Sequence, residues 1–273
     1  MSLVVTRALG LVTVQDLGWP GRMHEALAPG GALVPELLVA ANRAARNPDS
    51  APAVEVIGRL VVRAEAELLV ATDAARVLRS GDELVVESEP RRVTYLAIRG
   101  GIAAPLVLGG RGTQLSAGLG ALVRAGDRLH ADRAGALDLP VERFLDGDLV
   151  RIIAGPDDDA FGPRALELLL SAPYRILPTS DRVGTRLEGT AIPRSPDAGG
   201  SRPMVRGAIE VPPDGKPIVL GPEHPTTGGY PVIAVIAHAD LGRCFAIRLG
   251  GTVRFAQLGT STPEARVASF DEP

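Results

Sequence analysis

Glycine turns that lead directly into short apolar runs recur along this chain and limit it to a turn-rich β architecture. Three segments place Gly-Asp before such a run, LRSGDELVVES, VRAGDRLHAD and FLDGDLVRII, and RLGGTVRF is a fourth relative. Glycine supplies the positive φ of a tight turn, and the run that follows is typical of a strand. The spacing between these segments is irregular, which excludes a solenoid repeat. With 32 glycines and 23 prolines in 273 residues, we predict many short strands and no helical bundle.

The secondary-structure pattern divides the chain into two halves. Only residues 32–47 and 159–171 show helical spacing of apolar residues, each with a proline near its start. Short β-branched runs predict strands at residues 93–98, 149–153, 174–177, 218–220, 231–237 and 252–256. A weakly patterned region at 132–145 suits a junction between two β-barrels, so we predict an N-terminal domain over 1–140 and a C-terminal domain over 141–273. Residues 190–206 are expected to form a long exposed loop.

Composition excludes several classes of function. The net charge is −3, from 29 basic and 32 acidic residues, which gives no basic field for nucleic acid or an anionic membrane. The apolar runs are far shorter than the roughly 20 residues of a membrane helix. One cysteine and four scattered histidines offer no zinc-binding spacing, so no metal is expected. Phosphate-loop and dinucleotide motifs are absent as well. We expect a cytoplasmic protein.

Three polar segments are too rich in glycine and charge to be core strands. They span residues 13–33, 180–189 and 224–231. Arginine beside hydroxyls and glycine N–H groups suits a carboxylate, carbamate or phosphate anion. The alternative for each segment is a salt-bridged surface turn. Lys216, the single lysine, is the one candidate for a lysine nucleophile.

Seven motifs, taken in order, resemble one family. They are VQDLGWPG, APGGAL, ANRAARNP with AVEV after it, YLAIRGGI with VLGGRGT, SDRVGTRLEG, GAIEVPPDGKPIVL and TTGGYPVIAVIAHADL. The chain resembles the KipA/PxpC family, also called allophanate hydrolase subunit 2 or the biotin-dependent carboxyltransferase domain of urea amidolyase. The resemblance runs from about Val12 to Phe255. It implies a mainly β fold of two cyclophilin-like β-barrel domains with a few short helices.

The resemblance implies three functions. The first is a subunit of an ATP-dependent bacterial 5-oxoprolinase, which opens 5-oxoproline to glutamate together with a KipI/PxpB-like partner (allophanate hydrolase subunit 1) and a LamB/YcsF-like (PxpA) partner. ATP would then act at the level of the complex, and this chain need not bind it. The alternatives are a non-catalytic module that sequesters a KipI-like kinase inhibitor and the carboxyltransferase component of a urea carboxylase or allophanate hydrolase-type system. Biotin is not expected on this chain, since it contains no Met-Lys-Met sequence.

Carried over position by position, the family's site falls on the polar segments. The resemblance implies catalytic roles for Asp181, Arg182, Arg186 and Glu188. It implies substrate-binding roles for Gln15, Asp16, Ser180, Thr226, Thr227, Gly228, Gly229 and Tyr230. An arginine would bind a carboxylate or carboxyphosphate-like anion, an acidic residue would orient it or move a proton, and the threonine-glycine segment would donate to an oxyanion. Gln15 and Asp16 have the alternative role of holding their own loop.

Arg182 carries the most specific expectation. It lies between Asp181 and the flexible Gly184, which predicts an exposed guanidinium aimed into a cleft, whose loss would hardly change folding. The alternative is a clamp that ties its own loop to Asp181 or Glu188.

The chain departs from the family's usual residues at several positions near this expected site. Trp19 replaces an arginine, Pro225 a glutamine and Thr185 an aromatic residue. Ser201-Arg202-Pro203 stands where the family has a serine, an acidic residue and glycine, and Leu33-Val34 where it has Met-Asp. These changes remove a glutamine donor and an acidic side chain from loops near the expected site.

Overall fold

A computed structural model describes residues 1–132, 144–195 and 199–259. The described chain is mainly β, with sixteen strands, three short α-helices and four 3₁₀ turns. The 3₁₀ turns are Met23–Glu25, Leu115–Ala117, Asp158–Ala160 and His238–Asp240. The prediction of a mainly β fold with a few short helices is confirmed.

The N-terminal half is a seven-stranded antiparallel sheet. Its strands are β1 (Ser2–Gln15), β2 (Ala53–Ala64), β3 (Leu68–Ala71), β4 (Ala75–Leu78), β5 (Glu83–Glu87), β6 (Thr94–Ile98) and β7 (Arg128–His130). They pair in the order β4-β3-β6-β2-β1-β7, with β5 also on β2. Gly10 of β1 faces Gly58 of β2, and a side chain at either position would collide with the facing strand's backbone. The two long strands can therefore cross closely at this point.

The C-terminal half contains a closed seven-stranded barrel. Its strands are β8 (Leu149–Ala154), β9 (Tyr174–Ile176), β10 (Gly184–Glu188), β12 (Ala208–Glu210), β13 (Ile218–Leu220), β15 (Val232–Ile236) and β16 (Thr252–Gln257), in the spatial order β10-β13-β12-β15-β8-β16-β9. All neighbours are antiparallel except β8 and β16, which are parallel. A separate pair joins β11 (Arg202–Pro203) to β14 (Thr227–Gly228).

The helices and one apolar core connect the two halves. The helices are α1 (Pro35–Ala44), α2 (Ala165–Ser171) and α3 (Leu241–Ala246). Leu38 and Val39 of α1 belong to the same buried cluster as Phe245 of α3 and the inward-facing barrel residues. A second cluster fills the N-terminal sheet alone. Backbone hydrogen bonds also cross between the halves, from Arg92 N to the Ala246 carbonyl at 2.8 Å and from Gly30 N to the Pro222 carbonyl at 2.9 Å.

The helices are shorter than their apolar spacing predicts. Residues 32–34 lie before the first helix because the N–H groups of Leu33 and Val34 bond to the side chains of Glu55 and Tyr95. The second helix begins at Ala165, and the bridge between Phe161 and Arg194 holds the preceding residues in another conformation.

Other expectations have mixed outcomes. The six predicted strands are present with small shifts at their ends. The expectation that residues 180–189 are too polar for a core strand is wrong, since β10 is a barrel strand and its Thr185 and Leu187 are fully buried. The expectation that residues 190–206 form an exposed loop is wrong in part, since Ile192 and Met204 are buried and β11 is paired. The predicted domain boundary at residue 140 lies outside the described residues and stays a prediction.

Candidate functional site

The structure separates the predicted site residues instead of gathering them in one place. Arg186 and Tyr230 line a cleft on the outer face of the barrel, and Glu188 pairs with Lys216 of that cleft, whereas Arg182 lies inside the molecule between the two halves. We call this outer cleft the barrel cleft. Its lining residues are Leu177, Arg186, Leu187, Glu210, Pro212, Asp214, Lys216, Pro217, Ile218 and Tyr230, and its volume is about 420 Å³.

Strand register fixes the charged residues of the barrel cleft. On β13, Ile218 faces Arg186 of β10 on one side and Glu210 of β12 on the other. Directly paired residues project from the same face of a sheet, and strands are about 4.8 Å apart, so these two charged side chains start roughly 10 Å from each other. The neighbouring residues Thr185, Leu187, Ile209 and Val219 are buried in the barrel. Alternation therefore directs Arg186 and Glu210 to the outer face.

A proline-rich turn adds the second cation. Lys216 follows Asp214, whose carboxylate accepts the Lys216 backbone N–H at 3.1 Å, and the lysine Nζ lies 4.0 Å from Glu188 Oε1. Burial raises the pKa of Glu210, and the positive charge of Arg186 opposes that rise. The barrel cleft thus combines two cations that suit a small carboxylate with an acidic group suited to proton transfer.

The threonine-glycine segment is half-buried to exposed along its length and ends at the barrel cleft. The Thr226 carbonyl accepts a backbone hydrogen bond from Met204 N at 3.0 Å, and Thr227 and Gly228 form β14 against Pro203 and Arg202. Gly229 and Tyr230 are exposed, and Tyr230 lies at the cleft wall. The segment is held by strand pairing, and its oxyanion-binding role stays a prediction.

Arg182 lies at the centre of a buried ionic cluster. Its Nη1 lies 2.5 Å from Glu55 Oε1 of β2, its Nε donates to Glu223 Oε1 at 2.6 Å, and its Nη2 donates to the Gly31 carbonyl at 2.5 Å. Tyr95 donates its hydroxyl to the second oxygen of Glu55 at 2.7 Å. We call Glu55, Tyr95, Arg182 and Glu223 the junction cluster. Burial alone would lower the pKa of Arg182, but the two carboxylates outweigh it and raise that pKa.

The expectation that Arg182 is exposed is wrong. Only 3% of its surface is accessible, and one carboxylate from each half of the chain, Glu55 and Glu223, pairs with its buried charge. The alternative, a clamp to Asp181 or Glu188, is wrong as well. Asp181 instead accepts the backbone N–H groups of Val183 and Gly184, both at 2.9 Å, and so shapes its own turn.

Residues beside Arg182 stabilise the same turn. The Ser180 hydroxyl accepts the Arg186 backbone N–H at 2.9 Å. Arg92 donates to the Thr185 hydroxyl at 2.8 Å and to the Asp181 carbonyl at 2.7 Å. Thr185, where the family has an aromatic residue, thus accepts a hydrogen bond from a buried arginine of the other half of the chain.

Gln15 and Asp16 hold their own loop. Asp16 accepts the backbone N–H groups of Gly18 at 2.8 Å and Arg111 at 2.6 Å, and Gln15 donates to the Thr113 carbonyl at 2.9 Å. Burial raises the pKa of Asp16, and those backbone donors oppose the rise. The Asp16 carbonyl also accepts Ala32 N at 2.8 Å. This loop therefore packs against the same glycine segment that Arg182 contacts, although no described contact brings Gln15 or Asp16 to the barrel cleft.

Most of the residues that depart from the family's usual ones have bonding partners in this structure. Trp19 is buried, and its indole donates to the Val107 carbonyl at 2.8 Å. Arg202 forms an ion pair with Asp157. The carbonyl of Pro225 accepts His224 Nδ1 at 2.8 Å. Nothing in the structure explains Pro203 beyond its place in β11.

Two kinds of feature are absent from the described part of the chain. Within 1–132, 144–195 and 199–259, no three histidine, cysteine, aspartate or glutamate residues are grouped to hold a metal ion. In the same ranges, no helix is long and apolar enough to cross a membrane.

Comparison with known proteins decides the family. Residues 26–257 match the carboxyltransferase domain, subdomain A and B. This chain belongs to that family. It is 32% identical to the C subunit of 5-oxoprolinase from Escherichia coli over 99% of this chain and 95% of that protein. It is 27% identical to the protein of the same name in Haemophilus influenzae, over 89% and 87% of the two chains.

Solved structures show the same fold within longer chains. The crystal structure of TTHA0988 matches with a TM-score of 0.80 at 27% identity over 93% of this chain, which spans about half of that chain, 55%. Urea amidolyase of Kluyveromyces lactis matches with a TM-score of 0.84 at 22% identity, over 94% of this chain and 19% of that one. The barrel-containing carboxyltransferase fold is therefore shared with larger proteins.

Sequence reasoning missed three acidic residues of the barrel cleft and the junction cluster, Glu55, Glu210 and Glu223, and considered Lys216 only as a lysine nucleophile. Glu210 and Lys216 lie in the quoted motif GAIEVPPDGKPIVL, and alternation with the buried Ile209 of the same strand would have placed Glu210 on the outer face. Glu55 and Glu223 carry no comparable local signal, because their partner Arg182 lies 127 and 41 residues away.

Proposed function

We propose that this chain is the carboxyltransferase-family subunit of an ATP-dependent 5-oxoprolinase. The observation that carries the proposal is the nearly coextensive match to the 5-oxoprolinase C subunit of Escherichia coli, at 32% identity over 99% and 95% of the two chains. Urea amidolyase of Lachancea kluyveri matches over only 17% of its length, so the urea carboxylase function has weaker support. The proposed partners are a KipI/PxpB-like and a LamB/YcsF-like subunit, in the cytoplasm where ATP is available.

The barrel cleft fits the chemistry that this proposal needs. 5-Oxoproline is a small lactam with one carboxylate, and its ring opening adds water at the lactam carbon, breaks the C–N bond and protonates the nitrogen to give glutamate. Arg186 and Lys216 would hold the carboxylate. Glu210, whose pKa is raised, is suited to move the proton. ATP hydrolysis supplies the driving force in the complex, and this chain's own residues position the substrate.

Reconstitution tests the proposal directly. The three subunits are co-purified, and glutamate formation is measured with 5-oxoproline and ATP, leaving out one component at a time. We expect turnover only with all components present. Absence of turnover in a complex that contains all three subunits would contradict the proposal, and turnover of urea with a biotinylated carrier would favour the carboxyltransferase alternative.

A matched pair of arginine variants tests the role of the cleft. Arg186→Ala should lower kcat/KM about ten- to hundredfold through the loss of one charge-assisted contact of about 1.5–3 kcal/mol. Arg63→Ala, at an exposed position of β2 in the other half, should leave turnover unchanged. Both variants should melt at the wild-type temperature. Equal activity of the two variants would remove Arg186 from the site.

A further inference from the structure

An uncharged surface patch lies on the N-terminal half, far along the chain from the barrel cleft. Two segments, residues 102–110 and 115–123, contain no charged residue, although 22% of the whole chain is charged. We call their exposed part the uncharged patch. Its exposed members are Ala103, Pro105, Leu106, Val107, Leu108, Gly109, Leu115, Ser116, Ala117, Gly118, Gly120 and Ala121.

The patch presents large aliphatic side chains to solvent. Leu106 is 63% exposed, Leu108 51%, Leu115 45% and Val107 40%. Single exposed leucines are ordinary on a protein surface, but a contiguous apolar group marks an interaction site. Between the two segments lies a cavity of about 420 Å³, lined largely by alanine, glycine and aliphatic residues, with Arg111, Asp127 and Arg128 also in its wall. The uncharged patch thus combines projecting aliphatic side chains with a neighbouring cavity.

The projecting turn is held rigidly. Val107 and Gly110 exchange two backbone hydrogen bonds of 2.8 and 3.0 Å, which close a tight turn with Leu108 and Gly109 at its tip. The buried Trp19 indole donates to the Val107 carbonyl, and its ring packs so closely on Gly110 that a side chain there would not fit. A rigid apolar projection loses little conformational entropy when a partner covers it.

Leu108 is in an unfavourable backbone conformation for a surface leucine. Its φ is +52°, in the left-handed region that glycine, asparagine or aspartate adopt far more readily. A soluble turn with no further role would gain from glycine at this position. Both the backbone strain and the exposed side chain therefore become understandable if the leucine is covered in an assembly.

We propose that the uncharged patch is the docking face for a different subunit, which presents an aliphatic, uncharged surface and inserts an apolar side chain into the cavity. This inference rests on the proposed function for the identity of that subunit, the KipI/PxpB-like partner. A different subunit is favoured over a second copy for two reasons. A full-length relative is named as one subunit of an enzyme. In the solved structures, this chain corresponds to only 55% or 19% of a longer chain.

Three variants test the docking face. Leu106→Asp places a charge in the patch, and Leu108→Gly removes the projecting side chain while relieving its backbone strain. The matched control is Val77→Asp, since Val77 of β4 is 57% exposed and lies outside the patch. Each variant and the KipI/PxpB-like subunit are purified separately, and the Kd is measured by titration calorimetry, with size-exclusion light scattering of the chain alone.

We expect Leu106→Asp and Leu108→Gly to weaken binding at least tenfold and Val77→Asp to bind like wild type. Leu108→Gly should not lower the melting temperature, which separates a docking role from a purely structural one. Wild-type affinity in Leu106→Asp, or no binding by the wild-type chain, overturns the proposal. A wild-type dimer that Leu106→Asp turns into a monomer, with the heterocomplex intact, assigns the patch to a second copy and also overturns it.

Turnover measured on the same samples distinguishes this inference from the proposed function. A complex that forms, is disrupted by Leu106→Asp and yet makes no glutamate keeps the docking face and rejects the 5-oxoprolinase proposal. Full turnover that survives Leu106→Asp keeps the 5-oxoprolinase proposal and rejects the docking face.

Discussion

Replacing Arg182 with methionine should destabilise the protein strongly, although the expectation from sequence was a nearly silent change. The substitution keeps most of the side-chain volume but removes the cation that Glu55 and Glu223 share in the interior. Breaking a buried ion pair from one side costs about 3–5 kcal/mol, because an uncompensated charge is left without water. Such a loss is a large part of the about 5–15 kcal/mol that stabilises a typical protein.

Thermal and urea unfolding measure this effect. For a chain of this size, about 3–5 kcal/mol corresponds to a drop in Tm of roughly 6–20 °C. The control is Arg254→Met, which removes a surface pair with Asp148 at 3.1 Å and should cost only about 0–1 kcal/mol. A second substitution, Glu55→Gln, should restore part of the stability of Arg182→Met, since the neutral amide carries no charge and still offers Tyr95 an oxygen acceptor.

A Tm for Arg182→Met that lies within about 2 °C of wild type would refute the stabilising role of the buried ion pair. The energetic coupling between Arg182 and Glu55 is tested by the double variant. If Glu55→Gln lowers the stability of the Arg182→Met protein by as much as it lowers that of the wild type, the two residues are energetically independent and the coupling is refuted.

Three further predictions concern other buried groups. Burial lowers the pKa of His224 below its usual 6.5, so the unfolded chain binds more protons and stability should fall as pH drops below about 6.5; His224→Gln should flatten that dependence in Tm measured from about pH 8 to about pH 5. Gly31→Ala should destabilise clearly more than Gly81→Ala, since both have positive φ but an added Cβ at Gly31 would lie 2.7 Å from Gly18 N, and denaturation in urea ranks them. Burial raises the pKa of the Cys244 thiol to about 12, so a thiol reagent should react with it only after unfolding, and early native-state labelling would contradict this.

Local patterns predicted five of the seven barrel strands, because short β-branched runs between turn residues have few alternatives. They missed β12, and they missed β10 because its charged residues hide the alternation of the buried Thr185 and Leu187. The two longest strands were missed. In β1 and β2 the apolar alternation is interrupted by Gly10, Gly58 and exposed arginines, and what holds them together is their mutual register over most of their length. The register between two distant strands depends on how they pair, and the sequence of one strand alone does not specify it.

The sequence identified the segment that contains Arg182 and Arg186 as a candidate site, but it did not predict which of the two is exposed. The sequence motif around Arg182 and Arg186 does not separate the two arginines: alternation along one short strand places Arg186 at the surface, while the turn before it carries Arg182 inside. Deciding which arginine meets solvent required knowing where Glu55 lies, 127 residues earlier in the chain. Charge pairing across that separation is set by the packing of the two halves.

The parallel pairing of β8 with β16 has a consequence for biosynthesis. These are the first and last strands of the barrel, so the N-terminal sheet can be complete while its neighbour still lacks its closing strand. Until residues 252–257 leave the ribosome, β8 and β9 each expose an edge that can pair with another chain. We expect nascent chains halted shortly before residue 252 to hold a protease-resistant N-terminal half and to be the species that most needs a chaperone.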